Sequence, residues 1–126
     1  MQPMAKGESV KKILVVDDEQ DIGFLMKMLL RPEGYDVYYV KTLSEAKKAL
    51  SENTFHTVFL DLNLENEYGL DLVPIFRSQD YPPTIAVITA QKEPRVRAEI
   101  ESSKVDYLIE KPFNKTRLLE VLQTPL

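Results

Sequence analysis

Five short apolar runs, separated by stretches with helical spacing, constrain this chain more than any other feature. The first, "KILVV" (12–16), is almost continuously apolar, the pattern of a strand buried on both faces. "YDVYYV" (35–40), "HTVFL" (56–60), "TIAVI" (84–88) and "DYLIE" (106–110) follow, each rich in β-branched or aromatic residues. Between the first two, "DIGFLMKMLL" (21–30) puts Ile22, Leu25, Met26 and Leu29 on one helical face, and Pro32 and Gly34 stop it. "TLSEAKKALSEN" (42–53) predicts a second helix capped by Thr42, with Glu45 at the capping-box position. A third is predicted over 70–79, started late or kinked by Pro74. "EPRVRAEIES" (93–102), with Pro94 in its first turn, and "NKTRLLEVL" (114–122) predict the fourth and fifth. Such alternation predicts an α/β fold, a five-stranded parallel sheet covered on both faces by helices through right-handed crossovers. Periodicity leaves the strand order open.

The 126 residues suffice for one domain. Residues 1–10 are polar and are expected to be a flexible lead, with the domain over 11–126. The net charge of −4 and the lack of a basic recognition helix argue against nucleic-acid binding. With no cysteine, disulfides, thiolate metal sites and thiol nucleophiles are excluded. No stretch has a secretory leader's pattern or approaches the ~20 apolar residues of a membrane span, so a cytoplasmic location is the expectation.

In a parallel sheet, ligands bind beyond the carboxyl ends of the strands. There the first strand ends in Asp17-Asp18, the third in Asp61, the fourth in Thr89 and the fifth in Lys111. Each has a plainer explanation alone: a helix cap for Asp17 and Asp18, loop chemistry for Asp61, a cap or turn for Thr89, a surface position for Lys111. The functional case rests on all five sharing one edge. Three close carboxylates repel unless a cation is present. An all-oxygen site with room for water suits Mg2+, a carboxylate can attack phosphorus, and a lysine and a hydroxyl can serve the phosphoryl oxygens. The set reads as a phosphoryl acceptor. Glu19 reads only as first-turn helix charge. His56, at the opposite edge, reads as structural, and Tyr35, Tyr38 and Tyr39 read as strand packing.

In "ILVVDDE" (13–19), "FLDLNLENEYGLDL" (59–72), "VITA" (87–90) and "EKPF" (110–113), the sequence resembles the receiver domain of two-component response regulators over roughly 12–123. The resemblance implies a doubly wound, flavodoxin-like three-layer sandwich with strand order 2-1-3-4-5. It implies that Asp61 takes a phosphoryl group from a histidine kinase or phosphotransfer protein, and that Mg2+ is bound by Asp18 and Asp61, by Asp17 through water, and by the backbone carbonyl of Asn63. Thr89 would be the switch hydroxyl, with small Ala90 beside it. Lys111 would pair with the phosphate, Lys111-Pro112 would be a cis peptide, and Gly69 matches the family's loop glycine. Beyond self-phosphorylation and autodephosphorylation, no enzymatic activity is expected. Partner contacts or a homodimer would use the fourth helix, fifth strand and fifth helix, where Arg95, Arg97, Lys115 and Arg117 otherwise read as a solvated face. No output domain is visible, and the short last helix suggests a fragment of a longer regulator.

The sequence departs from the family at three places. Glu65 stands where proline is common, which predicts a more acidic and mobile loop. The Gly-Ala pair before the fifth strand is replaced by Ser103-Lys104-Val105. The aromatic switch position holds Leu108, with Tyr107 one residue earlier. Either Leu108 replaces the aromatic or a one-residue bulge lets Tyr107 take its place. Two rivals remain: an unphosphorylated receiver-like adaptor, and a haloacid-dehalogenase-type phosphatase. The latter would need an acid where Asn63 stands, and a longer chain.

Overall fold

The computed structural model describes residues 10–123, so all but the last residue of the expected lead lies outside it. Each apolar run forms a strand: β1 (Lys12–Val16), β2 (Asp36–Val40), β3 (Thr57–Asp61), β4 (Thr84–Thr89) and β5 (Tyr107–Glu110). All neighbours pair in parallel, in the order β2-β1-β3-β4-β5. The chain reverses direction across the sheet between β1 and β3, and the carboxyl ends of these two strands flank the crevice that such a reversal opens.

Alternating side chains build two faces. Ile13, Val15, Phe59, Ala86, Ile88 and Ile109 pack against Met26 and Leu30 of α1 (Gln20–Leu30) and Leu118, Val121 and Leu122 of α5 (Lys115–Gln123). Leu14, Val16, Val58, Leu60 and Ile85 face the other way. They meet Ala46 and Leu50 of α2 (Leu43–Glu52) and Val73 and Phe76 of α3 (Val73–Arg77). Val87 lies beneath Val96 and Ile100 of α4 (Pro94–Ser103). Burying each large apolar side chain contributes about 1.5–3 kcal/mol.

Local chemistry follows the sequence closely, with instructive differences. The inward face of α1 is centred on Gly23, Met26 and Leu30, with Ile22, Leu25 and Leu29 at its margin. The ring of Tyr39 decides this: a Cβ on Gly23 would lie 2.6 Å from it. Thr42 caps α2, accepting from the Glu45 N–H at 3.1 Å, while Glu45 Oε1 accepts from the N–H of Lys41, one residue before the cap. Pro74 falls in the first turn of α3, after a 3-10 turn over Gly69–Leu72. Where a glycine was missed, Lys104 takes the left-handed conformation (φ 57°) at the end of α4. The Arg77 guanidinium donates to its carbonyl and lies 3.8 Å from Asp106, whose carboxylate accepts from the Ile85 N–H.

The segment after Asp61, read from the sequence as an acidic loop, carries regular structure. Asn63–Leu64 and Glu67–Tyr68 form an antiparallel two-stranded ribbon, closed by a turn in which Asn66 has φ 60°. Asparagine tolerates this conformation better than most residues.

Candidate functional site

The five polar residues converge as the strand ends require. Asp17, Thr89 and Asp61 are buried although polar, and Asp18 is half-buried. Asp17 and Asp18 follow β1, Asp61 ends β3, Thr89 ends β4, and Lys111 follows β5. One oxygen each from Asp17, Asp18 and Asp61 lie within 4.8 Å of one another. Lys111 Nζ enters from the β5 side, 3.6 Å from Asp61 Oδ1, 3.5 Å from Asp17 Oδ2 and 3.3 Å from Glu19 Oε1. Asn63, Ala90 and Gln91 complete the crevice wall. The Lys111-Pro112 peptide is cis.

Neither aspartate caps α1. Glu19 occupies that position, and its N–H donates to Asp17 Oδ1 at 2.8 Å, which fixes the Asp17 carboxylate. Glu19 therefore does more than add first-turn charge, since its carboxylate also binds Lys111. Sequence reasoning missed this pairing because the two residues are 92 positions apart. Thr89 Oγ1 accepts from the Gln91 N–H at 2.9 Å, so its hydroxyl sits against the turn that leads toward α4.

The electrostatics are those of a site short of positive charge. Burial, then the negative Asp17, push Asp61 up to about 6 despite Lys111. Burial also raises Asp17, partly offset by the Glu19 N–H and Lys111. Burial disfavours the Lys111 ammonium, but Asp61, Asp17 and Glu19 outweigh it and hold the lysine above its usual range. Four carboxylates thus face one ammonium. The donors are oxygens, they are close, and one lysine offsets their repulsion only in part, so the residues fit a hard divalent cation of the Mg2+ type. The Tyr39 hydroxyl, buried without a hydrogen-bond partner among the described residues, is raised to about 12 by burial and by Asp17 and Asp18.

The remaining residues sort plainly. His56 lies at the amino end of β3, bonded through Nδ1 to Thr57 Oγ1 at 2.7 Å, with burial lowering its pKa. The β5 register is continuous: Tyr107 pairs with Ala86, Leu108 with Val87, and Glu110 with Thr89. Leu108 therefore packs on the α4 side with Val87, Val96 and Ile100, while Tyr107 packs on the opposite face. The bulged alignment is not adopted.

Fold and site together define a doubly wound α/β protein with an acidic crevice at its switch point. The chain belongs to the response regulator receiver domain family, whose match covers residues 13–123. It is similar to the sensory transduction protein LytR of Streptococcus agalactiae, with 32% identity over 111 residues, 85% of this chain and 44% of that protein. It also resembles two solved structures. A Burkholderia pseudomallei response regulator, solved with a phosphorylated aspartic acid, calcium and citrate, shares 29% identity at a TM-score of 0.81, covering 90% of this chain and 67% of that one. Vibrio cholerae chemotaxis protein CheY4 shares 26% identity at 0.83, covering 91% and 98%. The chain spans less than half the length of the curated relatives it matches. Among the described residues no helix is long and apolar enough to cross a membrane.

Proposed function

We propose that Asp61 is the phosphoacceptor of this receiver domain, taking a phosphoryl group from a phosphohistidine on a histidine kinase or phosphotransfer protein in the cytoplasm. A buried carboxylate 3.6 Å from a lysine and beside two further aspartates is the observation that carries this reading. An Asp61 oxygen attacks phosphorus, the P–N bond breaks, and its electron pair leaves on the histidine nitrogen. Without metal, burial and Asp17 hold Asp61 up at about 6, so near neutral pH it is largely ionised, and a bound divalent cation would favour the ionised, attacking form further. Asp18, Asp61, the Asn63 carbonyl and, through water, Asp17 would hold Mg2+. The ion supplies charge neutralisation at the transferred phosphoryl group.

Lys111 already lies among the carboxylates and would exchange one of them for a phosphoryl oxygen. Thr89 would turn its hydroxyl toward the same group. The new charge, about −1.5 to −2, would bias the surface of α4, β5 and α5 toward an output partner or a second copy. On that surface Arg97 is already paired with Glu110 at 2.6 Å, and Arg117 donates to the Leu108 carbonyl. Incubation with acetyl phosphate and Mg2+, followed by intact mass measurement, tests the acceptor. One alkali-labile phosphoryl adduct is expected, absent in Asp61→Asn and in chelator. Folded protein that gains none would favour the adaptor reading.

A further inference from the structure

The ribbon after Asp61 is fastened at both ends of its second strand. Glu67 Oε1 accepts from the N–H of Leu43 at 3.0 Å, a contact spanning 24 residues. Leu43 is the first residue of α2, where Thr42 caps the Glu45 N–H and leaves the Leu43 N–H without an intrahelical partner. One residue on, the Tyr68 hydroxyl donates to Glu99 of α4 at 3.1 Å. The ribbon's first strand pairs Asn63 with Tyr68 and Leu64 with Glu67. The Gly69 N–H returns to the Leu62 carbonyl at 2.7 Å. Asn63, which lines the acidic crevice, is therefore held in place from α2, outside the crevice.

We infer that Glu67 is a positioning residue for the metal site: by binding the start of α2, it fixes the backbone that carries the Asn63 carbonyl. The charge agrees with the geometry, since a carboxylate is favoured at a helix N-terminus. Groups that orient a ligand typically alter metal affinity by ten- to a hundred-fold. The inference rests on the proposed function for the identity of the ion and for the Asn63 carbonyl as one of its ligands.

Mg2+ binding by titration calorimetry, with amide hydrogen exchange over 62–69, tests it without phosphorylation. Glu67→Ala is expected to weaken Mg2+ about tenfold and to speed exchange across the ribbon. Glu67→Gln, which keeps the acceptor oxygen, should stay within about twofold of wild type. Leu43→Pro removes the donor at a position where proline suits a helix. It should match Glu67→Ala, and the double variant should lose no more than either single one. Unchanged affinity in Glu67→Ala, equal loss in Glu67→Ala and Glu67→Gln, or additive losses in the double variant would overturn the inference. Wild-type protein that binds Mg2+ but takes no phosphoryl group from acetyl phosphate would refute the acceptor reading and leave this comparison intact.

Discussion

Asp61 contributes to stability with a sign opposite to that of most carboxylates. Its folded pKa, about 6, lies above the ordinary 3.8, so the folded state holds the proton more tightly than the unfolded chain. Its stability contribution is present below about pH 4 and is lost as pH rises through about 6. At neutral pH without metal, the ionised group therefore destabilises the fold, by roughly 1–3 kcal/mol. Asp61→Asn should raise the melting temperature by several degrees at pH 7 in chelator. The gain should shrink toward pH 5, and saturating Mg2+ should stabilise wild type more than the variant. Thermal unfolding from pH 5 to 7.5 checks this, and a variant that melts lower than wild type at pH 7 in chelator would contradict it. Such strain is the expected cost of burying one carboxylate beside two other acids. Asp61, Asp17, Asp18 and Lys111 could be found in the sequence because each stands at a strand's end. Glu19 and Glu67 could not, because their partners, Lys111 and the Leu43 N–H, are distant in the chain and become neighbours only through the fold.

At the scale of elements, the ribbon joins Asp61 to the rest of the molecule, and Gly69 shows how closely it is fitted. A Cβ there would sit 2.1 Å from the carbonyl oxygen of Asp61 itself. The demand is for space, since no side chain can share that volume with the backbone of Asp61. Gly69→Ala should cost roughly 1–3 kcal/mol, as overpacking does, and should also reduce labelling by acetyl phosphate because the forced shift falls on Asp61. Melting and labelling measured on one preparation check this, and near-wild-type values for both would refute the clash. The glycine was visible in the sequence at its spacing from Asp61, but the reason for it was not. The ribbon was missed because its strands are two residues each, too short for any alternation to register. In β5 the difficulty was different: composition could not distinguish Tyr107 from Leu108 as the residue facing α4. Pairing with β4 does so, because neighbouring residues point to opposite faces.

Across the whole molecule, five strands and five helices were legible because a parallel sheet buried on both faces leaves continuous apolar runs, and its crossovers leave amphipathic ones. Strand order was not legible, since it depends on pairing between segments with similar composition. The family resemblance supplied it, and the structure agrees. That order places β1 and β3 side by side and brings Asp17 and Asp18 to Asp61. The alternation of core residues places α1 and α5 behind one face and α2, α3 and α4 behind the other. The crevice at the sheet's edge is thus a product of topology, and its charge is a product of which residues end the strands. The central claim is that one carboxylate there, Asp61, receives the phosphoryl group. Borohydride reduction of acetyl phosphate-treated protein converts an aspartyl phosphate to homoserine, and peptide mass mapping locates it. Homoserine at position 61 alone, formed only with Mg2+, is the predicted result; homoserine at 17 or 18, or at no position, would contradict the account.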